Sequence, residues 1–220
     1  KAVASLSING PLAAGIPGDP AALDWIAQRY GSLPLARDLA PAIKLARDGF
    51  VVSPKLANTL ADQRDRLSPS AKTVLYAGGK IPVAGDVLCQ PELADTLQRL
   101  AAQGRAGFYD GDTAQKLVAG VRAGGGIWTE EDLRRYEVVE RKPLVTWFRD
   151  NRIISAPLPS AGGVTLAEMF HQLEIIGYRP GRGAASVHDV VEAWRRAYRD
   201  RAAYLGDPDF VNVPIDLLLS

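Results

Sequence analysis

The chain has 220 residues, 47% hydrophobic and 23% charged, which is long enough to bury a sizeable core and ordinary for a globular protein. Its 26 basic and 25 acidic residues are interleaved, so it lacks the one-sided field that nucleic acid or an anionic membrane selects, and no apolar run approaches the roughly eighteen residues of a membrane span. The single cysteine, Cys89, excludes an internal disulfide framework and a multi-cysteine metal site; within IPVAGDVLCQPEL it is expected to be a small buried hydrophobe.

Taken in chain order, Val3 to Ile16 alternates apolar residues around Asn9-Gly10, a strong short hairpin signal that predicts two strands. Pro17-Gly18-Asp19-Pro20 predicts a helix start with Asp19 as N-cap and Pro20 at the first helical position. Leu23, Ile26, Ala27 and Tyr30 would form the buried face of that helix and Gly31 its end. Between Leu35 and Gly49, Pro41 is expected to split the helix into two short pieces or to kink it. Ser53-Pro54, Ser68-Pro69 and Gln90-Pro91 each precede helix-forming residues, and Gly49 and Gly104 stand where C-terminal glycines belong. Phe108 to Gly111 reads as a turn feeding a helix from Thr113 to Arg122, which Gly124-Gly125-Gly126 ends. Thr129-Glu130-Glu131-Asp132 is a close relative of a capping box for a short helix to Arg135.

The stretch from Arg141 to Glu174 packs a hairpin, a Pro/Gly corner and an amphipathic helix end to end. Leu144 to Phe148 and Ile153 to Ala156 predict antiparallel strands joined by a turn at Arg149-Asp150-Asn151. Pro157-Leu158-Pro159 stops the second strand, and Ser160-Ala161-Gly162-Gly163 frees the backbone before Val164, Leu166, Ala167, Met169, Phe170 and Leu173 take up helical spacing. Arg179 to Gly183 is a polar loop, and Ser186 is predicted to cap the last long helix, with Val187, Val190, Val191, Trp194, Tyr198 and Leu205 on its apolar positions.

Motifs that would carry chemistry are mostly absent. A glycine-rich helix start at Gly162-Gly163 permits an anion site, but the plainer account is that these glycines let helix and sheet approach closely. Ser160 lacks the G-x-S-x-G setting of a nucleophile and suits a turn or N-cap. His171 and His188 lie on different helices without metal-ligand spacing and are expected at helix surfaces. Arg195, Arg196, Arg199 and Arg201 read as a solvated face, with Glu192 four residues before Arg196. Asp207 and Asp209 are spaced like two calcium ligands but lack the rest of a calcium loop, so a turn is expected. No P-loop or dinucleotide fingerprint occurs. The residues alone describe a mainly helical α+β domain without a visible catalytic set.

Five segments, in order, resemble the large subunit of the γ-glutamyltranspeptidase family: Ala14 to Leu23, Arg29 to Ser53, Phe108 to Leu144, the PLPSAGG of Pro157 to Gly163, and Ala197 to Pro214. Three positions depart from the family pattern: Asp19 stands where threonine is expected, Leu35 where tryptophan is common, and Ala161 replaces the second serine of PSSGG. Asn58 to Val87 matches little and reads as a variable surface segment.

The resemblance implies the helix-rich part of an N-terminal-nucleophile hydrolase αββα sandwich, with the hairpins at Val3 to Ile16 and Leu144 to Ala156 as this chain's share of the sheets. Residues 1–220 would be a single domain and a fragment of the large subunit, consistent with a start at Lys1 rather than methionine. It also implies a precursor that cuts itself before a threonine, whose hydroxyl is then nucleophile and whose α-amino group is its base. A γ-glutamyl group from glutathione or a related amide would pass to that oxygen and on to water or an amine. The threonine would lie beyond Ser220 and the substrate-carboxylate arginine before the first matching segment; Arg29 and Arg37 do not fit that role by motif. The resemblance therefore assigns no catalytic residue, no identified substrate-binding residue, no metal and no cofactor to this chain. Its implied partners are a small subunit from the same precursor and a small-molecule γ-glutamyl substrate, with neither nucleic acid nor membrane, and its implied location is a bacterial periplasm or the exterior. A cephalosporin or glutaryl acylase, a poly-γ-glutamate enzyme, and a non-catalytic scaffold are the rival readings.

Overall fold

A computed structural model of the chain describes residues 6–220, with Ala77 described by its backbone only. The chain divides into two compact units, Lys1–Val138 and Val139–Ser220.

In the first unit, helices α1 (Asp19–Tyr30) and α2 (Leu35–Asp48) are followed by β1 (Phe50–Val51), α3 (Pro54–Asp62), α4 (Pro69–Leu75), β2 (Val87–Leu88), α5 (Pro91–Gln103), α6 (Ala106–Tyr109), α7 (Gly111–Ala123) and α8 (Glu130–Arg134). The start signals act as their chemistry demands. The Ser53 hydroxyl accepts from Leu56 N at 3.2 Å and that of Ser68 from Ala71 N at 3.1 Å, each ahead of a proline that has no N–H to satisfy. Thr129 and Asp132 close a reciprocal capping box at the start of α8. Strand β1 pairs antiparallel with β2, Phe50 opposite Leu88 and Val51 opposite Val87.

The core of this unit gathers Ala21, Tyr109, Ala114, Trp128 and Leu133. Tyr109 is buried to 1% exposure, donates its hydroxyl proton to the carbonyl of Pro17 and accepts from Ala21 N at 3.2 Å, so its one polar atom is satisfied. Tyr136 stacks on it with ring centroids 5.6 Å apart. Arg105 reaches across this cluster. It lies 5.0 Å over the Tyr109 ring and donates to the carbonyls of Arg134 at 2.6 Å and Tyr136 at 2.7 Å.

Several expectations for this unit are corrected. No strand occurs between residues 6 and 16; Gly10 has φ 89° and ψ −178°, outside the hairpin-turn geometry, and Pro11 starts a 3-10 turn to Ala13. Residues 3–5 of that expected hairpin lie outside the described residues. The N-cap of α1 is Gly18 rather than Asp19: the Gly18 carbonyl accepts from Ala22 N at 3.0 Å, so Asp19 is already the first helical residue, and a Cβ at Gly18 would collide with the Tyr136 hydroxyl. The face of α1 expected inside is largely outside: Leu23, Ile26 and Tyr30 are exposed and Ala21 is the buried residue. Pro41 does not split α2, whose Leu39 and Ala46 are buried on a helix that packs along α5; the packing outweighs one missing backbone hydrogen bond. Phe108 and Tyr109 are also helical, and the break before α7 falls at Asp110.

The second unit contains β3 (Leu144–Phe148), β4 (Asn151–Ser155), α9 (Ala161–Ile175), α10 (Ala184–Tyr204) and α11 (Ile215–Leu218). Strands β3 and β4 pair antiparallel from Leu144 opposite Ser155 to Phe148 opposite Asn151, around a turn in which Arg149 has φ 53°. Helix α9 lies on one face of this hairpin: Thr146 is buried and Phe148 stacks on Phe170 with centroids 4.7 Å apart. Val164, Ala167 and Leu173 complete the buried face of α9. Helix α10 packs on α9 through Ser186, Ala193 and Ala197. Ser186 does not cap α10. The N-cap is Gly183, and Ser186 turns back to accept from Arg182 N at 2.9 Å and donate to Arg179 O at 2.8 Å.

Among the described residues no helix is long and apolar enough to cross a membrane.

Candidate functional site

The corner predicted after β4 is built as a close approach of helix to strand. Gly163 is buried within the first turn of α9, and a Cβ there would lie 2.5 Å from Ala156 O and 3.0 Å from Ser155 Oγ. Glycine is therefore required for packing. A Cβ at Gly162 would meet only Ser160 Oγ, at 4.0 Å, an ordinary contact. Ser160 occupies the N-cap position but makes no side-chain cap bond; its amide donates to Pro157 O at 3.1 Å and closes the corner.

Beside that corner lies an open cleft of about 680 Å³, lined by Arg141, Lys142, Leu158, Phe210, Val213 and Ile215 among others. Its rim is charged. Arg141 pairs with Asp209 at 2.5 Å, and the guanidinium holds the Asp209 carboxyl below its usual range. Asp207 accepts from Asp209 N at 3.0 Å through its side chain, and its carbonyl accepts from Phe210 and Val211. The two aspartates thus shape a turn, as expected. The cleft brings together cations, one carboxylate and apolar surface, which is recognition chemistry rather than a nucleophile with its base.

A second polar cluster lies between α9 and α10. Glu168, only 7% exposed, accepts from Gln172 Nε2 at 3.0 Å and lines one cavity with Asp200. Burial first, and then the Asp200 carboxylate, push the Glu168 carboxyl up to about 7. Asp200 moves the other way, below its usual range, chiefly because Arg199 Nε donates to it at 2.9 Å. Sequence reading missed this pair; the only available signal was one acid inside the apolar run Val164 to Phe170.

The remaining candidates are placed as follows. His171 is half-buried, its Nε2 3.0 Å from Thr146 Oγ1, so it ties α9 to β3 and is not a surface residue. His188 is exposed. Glu192 pairs with Arg195 at 2.7 Å, Arg199 with Asp200, and Arg201 lies 5.5 Å over the Tyr198 ring, so these arginines are committed along their own helix. Cys89 is exposed, a correction: Leu88 points inward from β2 and the next residue faces out. Among the described residues no three His, Cys, Asp or Glu side chains converge as a metal site.

The sequence model of the γ-glutamyltranspeptidase family, described as "Gamma-glutamyltranspeptidase", matches residues 1–220. The chain belongs to the γ-glutamyltranspeptidase family. It is 39% identical over 97% of its length to a glutathione hydrolase proenzyme of Pseudomonas sp. (strain A14), and 37% identical over 94% to that of Escherichia coli (strain K12). An acylase ACY 1 proenzyme of Pseudomonas sp. (strain SE83) is 36% identical over 97% of the chain. The crystal structure of Helicobacter pylori γ-glutamyltranspeptidase superposes with a TM-score of 0.94 at 38% identity, covering the whole of this chain and 64% of that one. The fold is thus that of the γ-glutamyltranspeptidases, N-terminal-nucleophile hydrolases, and this stretch is its helix-rich part with short antiparallel hairpins. The chain spans 38% and 37% of the length of the two glutathione hydrolases it matches.

Proposed function

We propose that this chain is the large-subunit part of a γ-glutamyltranspeptidase, an enzyme that transfers γ-glutamyl groups from glutathione or a related amide to water or an amine. The observation that carries this reading is its 37–39% identity, along nearly all of its length, to glutathione hydrolase proenzymes. The nucleophile is a threonine on a small subunit released from the same precursor. Residues 1–220, one large-subunit fragment, act as scaffold and supply no catalytic group, so the chain alone is inactive. The enzyme works in the periplasm or outside the cell.

The open face of the β3–β4 hairpin supports a missing partner. While α9 covers one face, the opposite face exposes Val145 at 42%, Trp147 at 55% and Ile154 at 59%. Burying three such side chains is worth several kcal/mol at about 25 cal/mol per Å², and a stacked second sheet buries such a face at a spacing of about 10 Å. The experiment is to produce the full-length gene product and weigh it. Two polypeptides should appear, and a single uncut one when the junction threonine is replaced by alanine. A wild-type product that stays whole contradicts the reading.

The 36% identity to the acylase ACY 1 proenzyme, with the likeness to the structure of a Bacillus halodurans cephalosporin acylase at 28% identity and a TM-score of 0.87, favours an acylase as the second reading. It shares the predicted self-cleavage and differs in the acyl group accepted.

A further inference from the structure

Helix α10 is 21 residues long, about 30 Å at its rise per residue, and it has two unlike faces. Ser186, Ala193 and Ala197 are buried where it packs on α9. Val187, Val191, Trp194 and Tyr198 form a second stripe, roughly 110° further round the helix at about 100° per residue. This stripe is uncovered, with exposures from 43% at Val191 to 63% at Val187. Trp194 and Tyr198 already stand edge to face with ring centroids 5.5 Å apart, and the Arg201 guanidinium lies over the Tyr198 ring, so the aromatic end of the stripe is a preformed surface.

Size decides what can sit there. The stripe offers roughly 400 Å² of exposed side chain, where each partner in a stable complex of independent chains buries about 800 Å². A second copy would be held too weakly, whereas a segment made on the same precursor docks without the cost of bringing free molecules together. The relatives have the chain length for it: this chain spans 38% and 37% of the two glutathione hydrolases it matches, so more than half of each lies outside it. The neighbouring layer indicates the form of the segment. Helix α9 packs on both β3 and β4, and α10 beside it packs chiefly on α9. A helix lying next to another on a sheet turns one face to its neighbour and another, about a quarter to a third of a turn away, to the strands. The stripe has that offset, and its apolar side chains suit the alternating apolar face of a strand.

We propose that Val187, Val191, Trp194 and Tyr198 form a docking surface for apolar strands contributed by the part of the same precursor outside residues 1–220. The inference rests on the proposed reading of the chain as one part of a γ-glutamyltranspeptidase precursor and adds a second contact to it. The open face of the β3–β4 hairpin meets a stacked partner sheet, whereas the α10 stripe covers strands lying in the hairpin's own layer.

Photo-crosslinking in the full-length gene product tests this. The probe p-benzoylphenylalanine replaces Trp194, which keeps a large aromatic side chain there, and in a control it replaces Arg196, exposed on the side of α10 opposite the stripe. Irradiation should join position 194 to a peptide outside residues 1–220, in a product no heavier than one precursor, and mass spectrometry should place the captured residue in a run of alternating apolar and polar residues. Position 196 should give no such product. Capture of a second copy, capture only within residues 1–220, capture of a segment with helical periodicity, or no capture above the Arg196 control overturns the docking. Where the Trp194 variant does not fold, the same probe at Val187 decides by the same outcomes. The mass of the unirradiated protein separates this test from the proposed function: a protein that stays uncut contradicts that function, while the residue captured still decides the docking.

Discussion

A Cβ at Gly163 would lie 2.5 Å from the carbonyl oxygen of Ala156, so these two residues set how closely α9 can approach the end of β4. At Gly162, the residue before it, a Cβ would meet only Ser160 Oγ, at 4.0 Å. Gly163→Ala should therefore destabilise the protein by about 1–3 kcal/mol through overpacking against backbone, whereas Gly162→Ala should be neutral or gain up to about 1 kcal/mol from helix propensity. Urea denaturation of the two variants checks the contrast; equal effects would remove the close approach as the reason for the glycine.

At the start of α8, Thr129 Oγ1 accepts from Asp132 N at 3.2 Å and Asp132 Oδ2 accepts from Thr129 N at 2.8 Å. Thr129→Ala leaves a first-turn N–H without its partner and should cost about 1 kcal/mol. Thr129→Ser retains the oxygen and should cost a few tenths. Thermal unfolding separates the two.

Arg105 holds three carbonyls, those of Leu133, Arg134 and Tyr136, and an aromatic face with one planar group. Arg105→Lys keeps the charge but cannot fork, so it should recover little of the loss in Arg105→Met. That loss should be about 2–4 kcal/mol, since partly buried carbonyls are left unpaired. Full rescue by lysine, seen in denaturant midpoints, would show that charge alone matters there.

Proton linkage gives a stability profile with a stated sign. Glu168 is raised from 4.5 to about 7 in the folded chain, so its contribution is fully present below its ordinary value and is lost as pH rises to about 7. Asp200 is lowered, so its contribution is present above its ordinary value and lost as pH falls through the lowered one. Between the two the pair holds one proton. The unfolding free energy should thus drop by about 1–2 kcal/mol from pH 5.5 to 8, and E168Q should flatten that limb, measured by guanidinium denaturation at fixed ionic strength.

Local chemistry was readable and tertiary neighbours were not. The β3–β4 hairpin, the Ser-Pro helix starts, the glycine ends and the Thr129 capping box all depend on residues a few positions apart, and each forms where expected. Periodicity found the apolar stripes of α1 and α10 but could not say what covers them; Leu23, Ile26, Val187 and Trp194 remain exposed. Asn9-Gly10 failed as a hairpin because Pro11 takes the chain into a 3-10 turn. Cys89 failed as a buried residue because its strand ends one residue earlier with Leu88 inward. Glu168 and Asp200 come to line one cavity only through the packing of α9 on α10, so their proximity left no sequence pattern. The family was legible because five short segments occur in one order, a stronger constraint than any single motif among them.

The acyl group that the complete enzyme accepts decides between a γ-glutamyl transferase and an acylase. Incubated with γ-glutamyl-p-nitroanilide, the full-length protein should release p-nitroaniline, faster when an acceptor amine is added, and replacement of the junction threonine by alanine should abolish release. Turnover of glutaryl-p-nitroanilide with none of the γ-glutamyl compound, or release undiminished by the alanine replacement, would contradict the γ-glutamyl assignment.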